Sequence, residues 1–379
     1  MTKSKIKSEE TFTKADLKVL NMVNPEYAKT MLHASELTDT IIYDLKKLDK
    51  SFDPVKEKEE IRNIEYLSYG LPNLDLRLGG GYPVSRISEI IGLEGSGKST
   101  LGFMILKQTL DSGGIAILID TENAIEFSRL EILGLDAGDK RFLYKQLSTL
   151  EEIYSYLDRI INSIYEDIKN KPKGSRPPIT IVIDSLAAAS TKKEIESDID
   201  SAEMAERARI NSKALRRLTV SLKDVNASLI FINQLRDKMN MTGFGGPEFV
   251  SPGGKAVKYH ATHRLLVKNL GQIKDADKNV LGNKLEIRTI KNKTAPPMQK
   301  TIVVLFYKTG YNEAAGIFEE LKEFKAIYSS GPLWKIKGIE GVEIPEEFKT
   351  FKKSDWETIV YPALKDLIFS TPEKFMKTF

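Results

Sequence analysis

One short stretch of the 379-residue chain has the spacing of a phosphate-binding loop. It reads GLEGSGKST, satisfies G-x-x-x-x-G-K-[ST], and stands between the apolar run RISEIIG and the helical stretch LGFMILKQTL. Glycines let backbone N–H groups surround phosphate oxygens, Lys98 reaches the β and γ phosphates, and the Ser99 hydroxyl ligates Mg²⁺. A glycine-rich turn that only caps a helix is the weaker alternative. The predicted nucleotide-binding residues are Gly92, Leu93, Glu94, Gly95, Ser96, Gly97, Lys98, Ser99 and Thr100.

Polar side chains end three further apolar runs. ITIVIDS ends in Asp184, a carboxylate that can support the metal ion through water. IAILIDTEN ends in Asp120 and Glu122, and a carboxylate there can orient or deprotonate the water that attacks the γ phosphate. SLIFINQLR ends in Asn233 and Gln234, whose amides can hydrogen-bond a γ phosphate. Each carboxylate could instead cap a helix, but three polar strand ends beside a phosphate loop favour an α/β nucleotide site.

These groups need a sheet whose strands end at one edge. Apolar runs at residues 86–92, 114–120, 179–184 and 228–233 are separated by connections long enough for helices, which predicts a parallel sheet with crossover helices. Three later runs, HRLLVKNL, KLEIRTIKN and KTIVVLFY, follow one another closely and predict an antiparallel extension. The predicted fold class is therefore α/β, with a mostly parallel twisted sheet and an antiparallel extension.

The chain divides into three predicted segments. Residues 1–62 alternate charged and apolar positions and predict an N-terminal helical arm and linker. Residues 63–310 contain the strand and loop pattern of the nucleotide-binding core. Residues 311–379 are mixed in composition and locally helical, which predicts a small α+β C-terminal domain.

Two basic segments are candidates for binding nucleic acid. The stretch LRDKMNMTGFGGPEFVSPGGKAVKY combines five glycines with several cations and is typical of a long functional loop that can follow a phosphate backbone. In ESDIDSAEMAERARINSKALRRL, the residues Arg209, Lys213 and Arg216 recur at helical spacing and share one face. Either segment alone could be a solvated surface, but together they favour a nucleic-acid partner.

Composition excludes several kinds of site. The chain has no cysteine, which removes disulfide scaffolds, zinc ribbons, iron–sulfur clusters and thiol nucleophiles. The net charge of the whole chain is +4. Residues 255–308 alone carry a net charge of +9 and the remaining residues −5, so the basic charge is concentrated in this one segment. No window approaches the roughly 20 consecutive apolar residues of a membrane helix, and no secretory signal is recognisable. We therefore expect a cytoplasmic protein without a membrane partner.

Together the motifs resemble those of the bacterial RecA recombinases over roughly residues 65–340. The resemblance is carried, in order, by GLEGSGKST, IDTENA, VIDSLAA, KKEIESDI with EMAERARINSKALRRL, LIFINQLRDK, SPGGKAVKYHATHRL and IKNKTAPP. It implies a P-loop RecA-type ATPase core that uses ATP and Mg²⁺. It further implies a homo-oligomeric helical filament on single-stranded DNA, with ATP at the subunit interfaces, that exchanges strands with homologous duplex DNA. Single-strand-binding and mediator proteins are implied as further partners.

The resemblance also implies roles for individual residues. Glu122 is expected to activate water, Asp184 to serve the metal ion with Ser99, and Gln234 to sense the γ phosphate. Lys291 and Lys293 are expected to reach the ATP of a neighbouring subunit, and Tyr307 to lie near the adenine. The expected DNA-binding residues are Met204, Arg209, Ser212, Lys213 and Arg216 of the first loop and its helix, and Arg236, Lys238, Gly253, Gly254 and Lys255 of the second loop.

The chain also departs from the family pattern. Residues 1–60 do not align with the family's N-terminal helix, and Arg129 replaces the aromatic residue that usually flanks the adenine. Such divergence suits a phage-encoded or plasmid-borne member. Two other functions stay open: a ring-forming hexameric helicase on the same core, and a regulatory recombinase paralogue. The second is opposed by the complete set Lys98, Ser99, Glu122 and Asp184.

Overall fold

A computed structural model of the chain describes residues 25–50, 53–55, 64–169, 176–196, 204–237, 249–250, 255–338, 341–372 and 375. The chain separates into two compact units, residues 1–64 and 65–379. In the first unit, α1 (Pro25–Leu48) is a helix. From residue 33 to residue 48 its side chains are exposed, apart from the half-buried Ile42. The predicted helix of the N-terminal arm is therefore confirmed.

The second unit alternates strands and helices. Its described strands are β1 (Tyr66–Leu67), β2 (Tyr82–Pro83), β3 (Ile87–Gly92), β4 (Ile115–Asp120), β5 (Phe142–Gln146), β6 (Ile179–Asp184), β7 (Ala227–Gln234), β8 (Arg236–Asp237), β9 (Phe249–Val250), β10 (His263–Lys274), β11 (Val280–Asn292), β12 (Lys300–Phe306), β13 (Gly310–Asn312), β14 (Ile327–Ser330), β15 (Leu333–Ile336) and β16 (Thr350–Phe351). Its described α-helices are α2 (Pro72–Leu78), α3 (Lys98–Asp111), α4 (Phe127–Ile132), α5 (Leu150–Ile168), α6 (Lys192–Glu196), α7 (Met204–Asp224), α8 (Lys255–His260), α9 (Glu313–Glu323) and α10 (Tyr361–Ser370). Short helical turns lie at Glu346–Phe348, Lys353–Asp355 and Trp356–Val360.

The central sheet has nine strands in the order β13-β12-β11-β10-β3-β7-β6-β4-β5. From β5 to β10 all neighbours run parallel. Strands β11, β12 and β13 continue the sheet in antiparallel pairs. Strand β10 joins the two patterns, because it is parallel to β3 on one side and antiparallel to β11 on the other. The predicted mostly parallel sheet with an antiparallel extension is confirmed.

The sequence patterns do not predict strand β5. In this strand Phe142 is buried, whereas Leu143, Lys145 and Gln146 are exposed. It therefore lacks the continuous apolar run by which the central parallel strands are recognised. As the last strand of the sheet, β5 has one neighbour and part of its surface is left exposed.

Helices cover both faces of the sheet, as a doubly wound fold requires. On one face, α3 packs through Leu106 into a cluster that includes Val182 of β6. On the other face, α7 packs through Leu215 into a cluster that includes Ile181 and Ile183 of the same strand. Because successive side chains of a strand point to opposite faces, one apolar run supplies both cores.

The C-terminal residues have a core of their own. Helices α9 and α10 and the sheet β14-β15-β16 enclose the aromatic side chains of Phe318, Trp334 and Trp356. The ring of Phe318 lies edge-on to both indoles, at 4.8 Å and 5.4 Å. This arrangement confirms the predicted small α+β part. The segment boundaries at residues 62 and 310 stay predictions.

A buried ion pair joins α2 to α9. Arg77 Nη2 lies 2.8 Å from Glu320 Oε1, and the two side chains are 2% and 1% exposed. Asn73 Nδ2 and Thr301 Oγ1 donate to the second oxygen of Glu320 at 2.8 Å and 2.6 Å. Each of these charges is therefore buried and depends on its partner.

We predict that Glu320→Ala lowers the free energy of unfolding by about 3 kcal/mol or more, because the Arg77 charge stays buried after its partner is removed. Urea denaturation followed by circular dichroism measures the loss. Glu323→Ala is the matched control on the same helix, because its 3.2 Å pair with Lys300 is largely exposed. That variant is expected to lose about 1 kcal/mol or less. Equal losses in the two variants would contradict the prediction.

Candidate functional site

The register of the sheet brings the predicted polar strand ends to one edge. Asp120 at the end of β4 lies beside Asp184 at the end of β6. Gly92 at the end of β3 lies beside Gln234 at the end of β7. The phosphate-loop motif therefore begins at the same carboxyl edge as the strand-end carboxylates, where α/β folds place their ligand sites.

The loop between β3 and α3 has two backbone positions whose conformation favours glycine. Gly95 and Gly97 have φ of 67° and 87°, in the left-handed region. Gly97 is the N-cap of α3, and a Cβ at this position would lie 2.9 Å from Leu285 Cδ1. The loop thus exposes backbone at the start of a helix, the arrangement that accommodates phosphate groups.

Lys98, the first residue of α3, is 6% exposed. Its Nζ donates a 2.7 Å hydrogen bond to the carbonyl oxygen of Leu93, so the side chain folds back over its own loop. Burial lowers the pKa of Lys98, and the carboxylates of Asp184, Glu122 and Glu94 oppose that shift. The lysine is therefore held over the loop among negative charges.

A cleft of about 790 Å³ opens beside the loop. Its lining combines loop residues, strand-end carboxylates, two aromatic rings and an arginine. The lining residues are Gly95, Gly97, Lys98, Ser99, Thr100, Phe103, Asp120, Glu122, Ala124, Ile125, Glu126, Arg129, Asp184, Asn283, Leu305 and Tyr307. The cleft thus brings together the predicted residues Lys98, Ser99, Thr100, Glu122, Asp184 and Tyr307.

Two carboxylates of the cleft differ in their surroundings. Burial raises the pKa of Asp184 to about 6, and a hydrogen bond from the Ser99 side chain opposes the shift. Glu122 is exposed, and its Oε1 accepts a 2.6 Å hydrogen bond from Ser185 Oγ. Gln234 Nε2 lies 3.4 Å from the same oxygen. The predicted water-activating carboxylate and the predicted sensor amide therefore touch.

The donor set at Ser99 and Asp184 fits a hard cation. The Ser99 hydroxyl and the Asp184 carboxylate are hydrogen-bonded, and oxygen ligands of this kind suit Mg²⁺ when phosphate oxygens complete the shell. Among the described residues no cluster of three or more His, Cys, Asp or Glu could hold a metal ion. The residues present therefore fit an ion that arrives with a nucleotide.

The cleft lining also includes Tyr307, Arg129 and Asn283, and of these three only Asn283 is not singled out by the sequence. Tyr307 is half exposed there, and Arg129 is exposed on α4. Asn283 of β11 is 5% exposed, and its Oδ1 has no hydrogen-bond partner in the part of the chain that the structure describes. No local sequence signal marks Asn283, because its position depends on the pairing of β11 with β12.

Lys291 and Lys293 do not line the cleft of their own chain. Lys291 Nζ donates to the carbonyl oxygens of Lys258 at 2.6 Å and Tyr259 at 3.0 Å, in the last turn of α8. Burial first, and then the charges of Lys293 and Arg264, lower the pKa of Lys291 to about 8. Lys293 is exposed.

The predicted basic face of α7 is exposed. Arg209, Lys213 and Arg216 are exposed, and Ser212 beside them is half buried. Arg209 pairs with Glu206 of the same helix at 3.1 Å, and Arg217 pairs with Asp158 of α5 at 3.1 Å. Three further predicted DNA residues, Lys238, Gly253 and Gly254, lie outside the described residues. Met204 begins α7, Arg236 lies in β8, and Lys255 begins α8.

Comparison with known proteins decides the family. A model of the RecA N-terminal domain matches residues 41–312. The chain belongs to the RecA family. It is similar to the Protein RecA of Francisella philomiragia subsp. philomiragia and to that of Francisella tularensis subsp. novicida. Each is 35% identical over 300 residues, which is 79% of this chain and 79% of the relative. The match begins within α1, before the residue 65 expected from the motifs.

Membership confirms the predicted family and function: the chain is a DNA-dependent ATPase of homologous recombination. The RecA family also implies binding of ATP and DNA and assembly into a filament. The relationship favours the recombinase over the helicase alternative. Across the described ranges, no helix has the length and apolar character needed to cross a bilayer.

Proposed function

We propose that the cleft beside Gly92–Thr100 is the ATP site and that Glu122 activates the water that attacks the γ phosphate. The supporting observation is the contact of Glu122 Oε1 with both Ser185 Oγ and Gln234 Nε2, at 2.6 Å and 3.4 Å. The carboxylate is exposed and oriented by the serine, as a general base must be. The amide of Gln234 is near enough to respond to a γ phosphate beside Glu122.

We further propose that Ser99 and Asp184 hold Mg²⁺ together with the phosphates of ATP. The ion, when bound, neutralises phosphate charge and polarises the γ phosphate. Lys98 contributes from the loop, where it exchanges its bond to the Leu93 carbonyl for phosphate oxygens. Tyr307, which lines the same cleft as the exposed Arg129, contacts the base.

We propose that Lys291 and Lys293 act on the ATP of a neighbouring subunit. Neither lines the cleft of its own chain, yet both carry charge at the end of β11 and in the turn after it. Cations supplied across an interface can stabilise the charge of a phosphoryl transition state. In this way hydrolysis depends on filament assembly.

The proposed DNA path follows the basic face of α7 and the second loop. Arg209, Ser212, Lys213 and Arg216 belong to the first element, together with Met204. The second comprises Arg236, Lys238, Gly253, Gly254 and Lys255. Gln234 ends the strand that leads into this loop, so loss of the γ phosphate can loosen the DNA contacts. The filament thus holds single-stranded DNA while ATP is bound and pairs it with homologous duplex.

The three-part division into 1–62, 63–310 and 311–379, a cytoplasmic location, and contacts with single-strand-binding and mediator proteins remain part of the proposal. So does an origin in a phage or plasmid. The helicase alternative is separated by electron microscopy, since a filament on single-stranded DNA supports the recombinase and a closed ring contradicts it.

We expect Glu122→Gln to lower the kcat of DNA-stimulated ATP hydrolysis by about 100-fold or more, because an amide cannot accept the proton of the attacking water. Binding of ATP and of single-stranded DNA is expected to persist. A phosphate-release assay measures kcat, and fluorescence anisotropy measures binding. Glu131→Gln, on the exposed surface of α4, is the control for a neutralised glutamate. Normal turnover in Glu122→Gln would show that another group activates the water.

Replacing both Arg209 and Arg216 by Ala is expected to weaken binding to single-stranded DNA. The slope of log K against log salt concentration should become shallower by about 1.4, since each phosphate contact contributes about 0.7 on a single strand. Anisotropy of a labelled oligonucleotide at several salt concentrations gives the slope. Arg217→Ala is the control on the same helix, because Arg217 pairs with Asp158 of another helix, α5, whereas Arg209 pairs within α7, with Glu206. An unchanged slope in the double variant removes α7 from the DNA path.

The pKa of Lys291, lowered to about 8, predicts a pH dependence. The side chain loses its positive charge as the pH rises through this value, so its action on the neighbour's ATP is lost on the alkaline side. We expect kcat/KM for ATP, which reports the protein before ATP is bound, to fall about tenfold between pH 7 and pH 9. Lys291 is about 90% charged one pH unit below its pKa and about 90% neutral one pH unit above it. Lys291→Arg keeps its charge and should flatten the profile. Parallel profiles of the two proteins would contradict this role.

A further inference from the structure

Asp120, at the end of β4, is fully buried. Its Oδ1 accepts hydrogen bonds from the backbone N–H groups of Glu122, at 3.0 Å, and Asn123, at 2.9 Å. Asn123 has a φ of 55°, so the chain turns sharply at this point. The carboxylate of Asp120 thus organises the turn that carries Glu122.

The second oxygen of Asp120 depends on another strand. Tyr144 of β5 donates its hydroxyl to Asp120 Oδ2 at 2.9 Å. Partial burial, and then the hydrogen bond to Asp120, raise the pKa of Tyr144, so the phenol stays protonated and donates. Among the described residues, no side chain other than Tyr144 donates a hydrogen bond to the Asp120 carboxylate. The phenol and two backbone amides therefore balance a buried negative charge.

The ring of Tyr144 has an independent anchor. It lies edge-on to Phe127, with ring centroids 5.0 Å apart and an interplanar angle of 71°. Phe127 begins α4, and Tyr144 packs against the core cluster that includes Leu106 and Val182. Removal of the hydroxyl alone leaves this packing in place, so the hydrogen bond and the ring can be tested separately.

We propose that Tyr144 is a positioning residue for ATP hydrolysis, acting through Asp120 on the turn that holds Glu122. The inference rests on the proposed role of Glu122 as the group that activates water. Without the phenol, Asp120 Oδ2 has no side-chain donor among the described residues, while Asp184 lies beside Asp120 on the neighbouring strand. The carboxylate can then rotate away from the two amides. The turn then releases Glu122 from its place beside Ser185. Displacements of about 1 Å at a reacting group are enough for large losses of rate.

Tyr144→Phe tests the proposal. We expect kcat of DNA-stimulated ATP hydrolysis to fall about tenfold, the usual scale for loss of a supporting hydrogen bond at a reaction centre. KM for ATP and binding of single-stranded DNA should stay close to wild type, since the ring packing on Phe127 is kept. The midpoint of thermal unfolding is expected to fall, because the buried Asp120 carboxylate loses a hydrogen-bond donor. Asp120→Asn is a second variant, which weakens the same turn and should lower kcat at least as much.

Tyr361→Phe is the matched control. Its hydroxyl also donates to a carboxylate, that of Glu313, but in the C-terminal part of the chain. This variant should keep the wild-type kcat. A wild-type kcat in Tyr144→Phe, or equal losses in the two tyrosine variants, overturns the proposal.

A double-mutant cycle separates positioning from a general structural effect. If Tyr144 acts through Glu122, then Tyr144→Phe changes the single-turnover rate of Glu122→Gln by less than about twofold, because the group that it positions is already lost. The same tenfold loss in both backgrounds overturns the proposal. The rate of Glu122→Gln also distinguishes the proposed role of Glu122 in activating water from the proposed role of Tyr144 in positioning it. If Glu122→Gln hydrolyses ATP at the normal rate, the role of Glu122 is wrong. If Glu122→Gln is slow while Tyr144→Phe is normal, only the role of Tyr144 is wrong.

Discussion

Buried negative charge at the carboxyl edge of the sheet is the constraint on which the site depends. Parallel register sets Asp120 beside Asp184, and both are buried. Carboxylates in such a position need donors, because burial without hydrogen bonds or cations is costly. Asp184 has the Ser99 hydroxyl and the charge of Lys98, and Asp120 has the Glu122 turn and Tyr144. The position of Lys98 over its loop and the placement of Glu122 are thus both linked to the donors and the cation that offset the buried negative charge of Asp120 and Asp184.

The sequence is informative where function and fold use local spacing. The loop Gly92–Thr100 is recognised because its glycines, Lys98 and Ser99 must stand at fixed spacing within one short segment. The central parallel strands are recognised by their continuous apolar runs. Asp184 and Gln234 are found because each ends such a run. Expectations about individual contacts to ATP and DNA stay predictions.

The remainder depends on contacts between distant segments. Tyr144 meets Asp120 only because β5 pairs with β4, and β5 has too few buried positions to be recognised as a strand. Arg77 and Glu320 are 243 residues apart and look like ordinary surface charges until α2 and α9 bury them together. Such charges are buried only with a partner, and a single sequence does not indicate which partner that is.

The charge of the cleft argues that one chain alone is a poor site for a polyanion. Four acidic residues line it, against two cations. The acidic residues are Asp120, Glu122, Glu126 and Asp184, and the cations are Lys98 and Arg129. A triphosphate adds further negative charge in a partly desolvated space, where repulsion is stronger than in water. Backbone N–H groups of the loop at the start of α3 offset part of this charge, and cations from outside the lining would offset more of it. A metal ion at Ser99 and Asp184 is one proposed source, and Lys291 and Lys293 of a neighbouring subunit are the other. On this argument, the electrostatics of the cleft favour the proposed dependence of ATP hydrolysis on assembly.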